Sequence, residues 1–278
     1  MKYIVAGGQG FIGSHIVDAL LKDGHGVTVI DNGLCGDNKN AGATYVTADI
    51  RRIEDIEKHF DGVDGAFCTA AIARTPWCIE DPVLCYETNV LGSLNVLEAA
   101  RRKGVKRVVL SSSNIVYAAE TPYKQSKLAM EAIAAVYASL YGLSNVCLRY
   151  SNVYGTRQRE DGPSPNVFAS FRKTLRETGH ITLTGDGEQS RDFTHVSDVA
   201  RANLLAMKST YNGEPIDVCT GRNVTMNYVA KELFKAPIEY IGDRKGDIKH
   251  IIQKPERAGE LLGWKPTVAL EEGVKDVL

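Results

Sequence analysis

None of the six cysteines, at positions 35, 68, 78, 85, 147 and 219, is spaced as a CxxC pair, and the six histidines show no metal-ligand spacing. A zinc site and a disulfide framework are therefore not expected, and buried free thiols in a reducing compartment are. Charge of either sign is not in excess: 33 Lys and Arg stand against 34 Asp and Glu, a formal net charge of -1. That balance lacks the basic footprint of a nucleic-acid binder. No apolar run approaches the roughly 20 residues that span a bilayer. The opening MKYIVAGG has only a short apolar run ending in glycines, so no secretory leader and a cytoplasmic location are expected. Repeats and low-complexity tracts are also missing. What remains is an ordinary soluble chain of 278 residues, 44% hydrophobic, long enough to bury a sizeable core.

The first half of the chain alternates two periodicities. KYIVA, GVTVID, TYVTADI, GAFCTAA, KRVVLSSS and SNVCLRYS read as buried strands. FIGSHIVDALLKDG, IRRIEDIEKHF, YETNVLGSLNVLEAARRKG and SKLAMEAIAAVYASLYG read as helices between them. Alternating strands and helices predict an α/β fold with a doubly wound parallel sheet of the Rossmann type. After about residue 155 the rhythm loosens, beginning with the polar loop GTRQREDGPSPN. A Rossmann domain over 1–155 is expected. A smaller C-terminal substrate-binding lobe over 156–278 would interleave with returning pieces of the main sheet at about 190–222.

AGGQGFIGSH places Gly7, Gly10 and Gly13 between the first strand and the first helix. That spacing permits a tight turn, close approach of the backbone to a pyrophosphate, and a helix N-terminus facing the negative charge. Asp31 ends the next strand, where a carboxylate can accept from both hydroxyls of an adenosine ribose and would repel a 2′-phosphate. No arginine follows in DNGLCGDN, so NAD is expected rather than NADP. Asp49 and Ile50, in TADI, suit an adenine: a carboxylate for its amino group, an aliphatic face for its ring.

SSSNIVYAAETPYKQSK gathers a serine, a phenol and an ammonium. Tyr123 and Lys127 are four apart and share a helix face. An ordinary tyrosine is a poor base at neutral pH, but a neighbouring cation favours its phenolate. Ser113 at a strand end can hold a reacting oxygen while Tyr123 moves its proton and Lys127 tunes the phenol. These three are the expected catalytic groups.

The chain resembles the extended short-chain dehydrogenases/reductases, in the nucleotide-sugar epimerase/dehydratase group. GGQGFIG, ADI, TAA, TNVLGSLNVLEAA, SSSNIVY, YKQSK, RYSNVYG, TGDGEQSRDFTHVSDVA and GDIKH carry the likeness in family order over nearly the whole chain. The resemblance implies that Ser113, Tyr123 and Lys127 are the catalytic trio, with Asn89 supporting it and the cofactor. It implies cofactor contacts from Phe11, Ile12, Asn32, Ala70, Ala71, Ser111 and Tyr150 beside those already named. It places Asn152, Arg191 and Arg244 on the substrate diphosphate, the arginines as bidentate anion clamps, and Asp247 on a nucleoside ribose. A UDP-sugar substrate and a homodimer follow from the same likeness.

Family dehydratases carry an Asp-Glu pair after the serine or threonine, and decarboxylases a Glu. Here Asn114 and Ile115 stand there, and neither can move that proton at neutral pH. The resemblance therefore favours 4-epimerisation of the UDP-glucose/UDP-galactose type. A nucleotide 4-keto-sugar reductase and a non-catalytic NAD-binding sensor stand as alternatives. Ile251, where relatives often carry a small residue, is expected to narrow the sugar pocket toward plain hexoses. In one respect the pattern departs: only AAETP separates Tyr117 from Tyr123, where relatives have a longer loop. The short link is compatible with a natural deletion, a segment missing from the chain, or lost turnover.

Overall fold

The computed structural model describes residues 1–118, 120–160, 166–242 and 249–278. Six strands build most of one sheet: β1 (Lys2–Ala6), β2 (Gly26–Asp31), β3 (Thr44–Thr47), β4 (Gly65–Cys68), β5 (Arg107–Ser113) and β6 (Ser144–Tyr150). Four short strands follow, β7 (Asn152–Tyr154), β8 (Ile181–Thr184), β9 (Ser190–His195) and β10 (Ile216–Val218), then β11 (Asn223–Thr225) and β12 (Ile238–Ile241). The main sheet is seven-stranded and parallel throughout, in the order β10-β6-β5-β4-β1-β2-β3. The chain winds outward in two directions from the β1/β4 boundary. That boundary is the topological switch point at which doubly wound folds open a crevice beyond the strand ends. The α/β doubly wound architecture is thus present.

The strands are apolar at successive positions because both faces of the sheet are covered. In β1, Val5 points into one core with Ile16, Val17, Val29, Phe67 and Val199, while Ile4 and Ala6 point into the other with Ile30, Val96, Leu97 and Met130. In chain order the first helices are α1 (Phe11–Lys22), α2 (Ile53–Ile56), α3 (Thr75–Glu80), α4 (Pro82–Tyr86), α5 (Ser93–Arg102), α6 (Pro122–Tyr141), α7 (Val167–Thr178) and α8 (Val196–Lys208). Of these α1, α2, α5, α6 and α8 cover the two faces, α3 and α4 pack against α6, and α7 packs against β8. Between α4 and α5 the chain passes through a π-helical turn, Glu87–Gly92. IRRIEDIEKHF does not form one helix: α2 gives way to a 3₁₀ turn at Glu57–Phe60.

A further, aromatic-rich core lies outside the two that cover the sheet. Tyr154, Phe168, Phe171, Phe193 and Leu183 meet there, with Tyr154 stacked on Phe168 at 5.0 Å between centroids. Its strands form two small sheets, β11-β9-β7 and β12-β8. The chain then returns. β10 is the edge of the main sheet, and Ala258, Leu262 and Trp264 enter the core beside α1 and α8. Asp198, in the first turn of α8, accepts from the backbone N–H groups of Thr267 and Val268 at 2.8 and 2.9 Å and so ties that return in place.

Candidate active site

Two adjoining cavities open above the C-terminal ends of the strands. The first, of about 300 Å³, is framed by the glycine loop, the end of β2 and the end of β4. Gly7 has φ +85°, and a Cβ there would lie 2.4 Å from the backbone nitrogen of Ala70. A Cβ on Gly13 would lie 2.2 Å from the carbonyl oxygen of Gly7. Glycine is therefore required at both, and the missing side chains leave open backbone in front of α1. Gly7, Gly10, Phe11, Ile12, Gly13, Asp31, Asn32, Asp49, Ile50, Ala70 and Ala71 all line this cleft.

Within it, the two acids are held differently. The Asp31 carboxylate accepts from the N–H groups of Gln9 at 2.9 Å and Gly33 at 2.8 Å. Burial nevertheless raises its pKa, and the backbone N–H groups offset only part of that rise. Asp49 is paired bidentately with Arg51, at 3.1 and 2.7 Å, and also accepts from Asn32 Nδ2 at 3.1 Å. The Arg51 hydrogen bond holds its carboxyl down at about 2. Arg51, which the sequence reading passed over, thus takes up much of the accepting capacity expected to serve an adenine.

The second cavity, of about 830 Å³, continues from the first toward the small lobe. Ser113, Asn114, Ile115, Tyr123, Tyr150, Asn152, Arg191 and Ile251 line it. Ser113 ends β5, and its Oγ accepts from the Ile115 N–H at 3.2 Å to cap the 3₁₀ turn Asn114–Tyr117. Four residues later α6 begins. Thr121 caps it by accepting from Lys124 N–H at 3.2 Å, and Pro122 occupies the first turn, where a missing N–H costs nothing. The short AAETP link is therefore long enough to deliver Tyr123 to the cavity beside Ser113.

Tyr123 is buried, and its pKa is pushed up to about 12 by burial; a hydrogen bond with Ser113 and the charge of Arg74 pull the other way. Lys127 does not reach toward the cavity. Its Nζ donates to the Ser111 carbonyl at 2.7 Å, and burial lowers its pKa. Ser111 Oγ and the Tyr150 hydroxyl are 3.0 Å apart, and that hydroxyl donates to Asn203 at 2.9 Å. Tyr150 therefore presents its ring to the cavity and its oxygen to the core.

Asn89 lines neither cavity. Its amide is locked inside the π-helical turn's packing: Oδ1 accepts from Ile72 N–H at 2.7 Å, and Nδ2 donates to the Ile72 carbonyl at 3.0 Å and to Ser126 Oγ at 2.9 Å. It pins the chain after β4 to the helix that carries Tyr123 and Lys127. Arg191 donates to the Ser190 carbonyl at 2.8 Å. Arg244 and Asp247 lie outside the described residues.

Two features escaped the sequence reading. Glu131, one turn beyond Lys127, accepts from Ser112 Oγ at 2.6 Å and from Arg149 at 2.8 and 2.6 Å. Arg149 also donates to the Tyr117 hydroxyl at 2.8 Å, and that hydroxyl donates to Asp217 at 3.0 Å. This network clamps β5, β6, β10 and α6 together directly behind Ser113. The second is Glu120, a carboxylate on the cavity wall, ion-paired with Lys124 at 2.6 Å. No local spacing joins the members of the first, and nothing pointed to the second.

Residues 3–219 match the NAD dependent epimerase/dehydratase family. The chain belongs to that family. NAD is its cofactor, and the glycine cradle with Asp31 fits that group. The UDP-glucose 4-epimerase of Thermotoga maritima, solved with UDP-glucose, is 36% identical, with 100% of this chain and 97% of that chain covered and a TM-score of 0.93. The Thermus thermophilus UDP-glucose 4-epimerase, solved with NAD, is 34% identical, covering 100% and 97%, with a TM-score of 0.88. A UDP-N-acetyl-alpha-D-glucosaminuronate decarboxylase of Bacillus cytotoxicus is 29% identical over 100% of this chain and 96% of its own length. The family thus includes members with different reactions on nucleotide sugars. Among the described residues no helix is long and apolar enough to cross a membrane, and no His/Cys/Asp/Glu group could hold a metal.

Proposed function

We propose that this protein is an NAD-dependent 4-epimerase of a UDP-sugar, of the UDP-glucose/UDP-galactose type. One observation carries the reading: Tyr123 and Ser113 face the larger cavity, and the two positions after Ser113 on the same wall are Asn114 and Ile115. The wall holds a proton-transferring phenol and a hydroxyl to steady an oxygen, but no second acid–base pair there for dehydration or decarboxylation. The Glu120 carboxylate is no substitute, because Lys124 beside it keeps it ionised.

The Tyr123 oxygen takes the proton from the sugar C4 hydroxyl and later returns it, while Ser113 Oγ hydrogen-bonds the same oxygen in both states. When bound, NAD supplies a reversible hydride acceptor beside that carbon. Asn152 and Arg191, which line the cavity, would meet the substrate diphosphate, and Ile251 would narrow the sugar end toward plain hexoses. The Ile251 side chain is buried in the wall, consistent with that last role.

The protein is further proposed to pair with a second copy through α4, the π-helical turn and α6. Val83, Tyr86, Leu91, Val136, Leu140 and Tyr141 are large apolar side chains left exposed on those elements, Leu140 at 72%. Light scattering on the eluting peak would read twice the chain mass, and Leu140→Glu would reduce it to one.

The activity is tested by incubating NAD-loaded protein with UDP-galactose and following anomeric protons by NMR. UDP-glucose signals that grow with wild-type protein and not with Tyr123→Phe support the proposal. No conversion by protein shown to hold NAD would overturn it.

A further inference from the structure

Lys127, the cation expected to tune the tyrosine, is turned to the Ser111 carbonyl beneath the site. Another cation stands on the cavity side. Arg74 ends the stretch after β4 and precedes α3, and it lines both cavities, at the junction between them. Its neighbours on either side fix its backbone. Ile72 and Cys78 are fully buried and share one core cluster with Tyr123 and Cys85 of α4. Ile72 is in turn held at both its N–H and its carbonyl by Asn89. Of the described residues of the short AAETP link, Glu120 and Thr121 line the cavity, and Arg74, Thr75, Pro76 and Ile79 line it with Tyr123. Among the described residues the guanidinium hydrogen-bonds the adjacent Ala73 carbonyl, from Nη1 at 3.3 Å, which leaves most of its donors unspent there.

We infer that Arg74 is a positioning residue for the reaction, a fixed positive charge at the cavity junction that stabilises the deprotonated form of Tyr123. This rests on the reading of Tyr123 as the proton-transferring group. The groups facing Tyr123 support it. Ser113 from β5 is neutral. Cys78 from α3 and Cys85 from α4 are thiols whose ionisation would oppose a phenolate. Lys127 on the same helix is engaged with Ser111, and Glu120 and Lys124 neutralise each other. Arg191, also on the cavity wall, is hydrogen-bonded to Ser190. Arg74 is a cation on the cavity wall, and its charge opposes the effect of burial at the phenol. A guanidinium suits the task because it stays charged even when largely enclosed.

The test needs no sugar. Tyrosinate absorbance is titrated in NAD-loaded protein, with the matching Tyr123→Phe protein subtracted each time to isolate Tyr123. Arg74→Gln is expected to raise the Tyr123 midpoint by about one pH unit, the size of a single opposite charge nearby, and Arg74→Lys to leave it close to wild type. Thermal melting checks that each variant is folded, and NAD affinity is measured in parallel. An unchanged midpoint in folded Arg74→Gln protein would overturn the inference, as would no Tyr123 signal in either protein. A loss of NAD affinity without a midpoint shift would do the same, assigning Arg74 to the cofactor alone. Turnover of UDP-galactose by wild type and Tyr123→Phe decides separately whether Tyr123 moves the proton, so failure of either idea is recognised apart from the other.

Discussion

The two cavities of this protein are built by opposite means. The cofactor cleft is made by backbone: glycines at positions 7, 10 and 13 open a cradle at the switch point of the sheet, and the strand ends beside it fix Asp31 and Ala70. The reaction cavity is made by side chains from distant parts of the chain, with Arg74, Ser113, Tyr123, Asn152, Arg191 and Ile251 converging from five separate segments. Backbone-built sites tolerate little change in the loop itself but depend weakly on what packs elsewhere. Side-chain-built sites depend on every element that aims a group.

Removing the Tyr123 oxygen should separate the two regions most cleanly. Tyr123→Phe is expected to lower turnover by roughly 10²–10⁴, the usual worth of a positioned acid–base group, with NAD affinity nearly unchanged. Equal losses in turnover and NAD affinity would show that the cavities are not functionally separable.

Breaking the clamp behind Ser113 should come next. Glu131→Ala leaves the largely enclosed Arg149 without its carboxylate and should cost about 3–5 kcal/mol of stability, read from denaturant unfolding. Because the clamp reaches β5 and α6 but not the glycine loop, protein that remains folded should lose turnover more than NAD binding. A change within experimental error in both would mean that the network is ornamental to the site.

The cleft should respond to acid before the reaction cavity's arginines do. Burial raises the Asp31 pKa, so on acidification this carboxyl protonates at a higher pH than an exposed carboxylate. Protonated, it no longer accepts from both ribose hydroxyls. NAD affinity measured by calorimetry should therefore fall as pH drops, and Asp31→Asn should remove that part of the dependence. Turnover should instead rise with pH through the neutral range, because burial holds Tyr123 as the phenol. The smallest effect is expected at Ile251. Ile251→Ser should shift preference toward UDP-N-acetylglucosamine by about tenfold or less, the scale of one small apolar contact. A wild type that already prefers the acetylated sugar would remove any role for Ile251.

The same contrast governs what could be read from sequence. The glycine loop and its strand–helix setting are local, and each glycine answers to a backbone demand at its own position. Ser113 and Tyr123 lie within one short stretch, and both line the larger cavity, whereas Lys127 of the same stretch turns to the Ser111 carbonyl. Arg74 could not be found this way: in IARTPW it looks like any surface arginine, and only the fold puts it on the wall of both cavities. Glu131 and Arg149 are on different elements and meet only when α6 lies across β6. IRRIEDIEKHF has a helical pattern throughout, yet its helix changes character at Glu57, where Ile56 and Phe60 are both drawn fully into the core. Such outcomes are set by tertiary contacts that local patterning does not carry.

The central claim is that this site removes a hydride from sugar C4 and returns it to the same carbon. UDP-galactose deuterated at C4 tests it directly, with NAD-loaded protein and unlabelled NADH in the surrounding solution. The account predicts UDP-glucose that keeps its deuterium at C4, with no net change in NADH absorbance. Deuterium lost from the product, NADH consumed, or no product at all would contradict it.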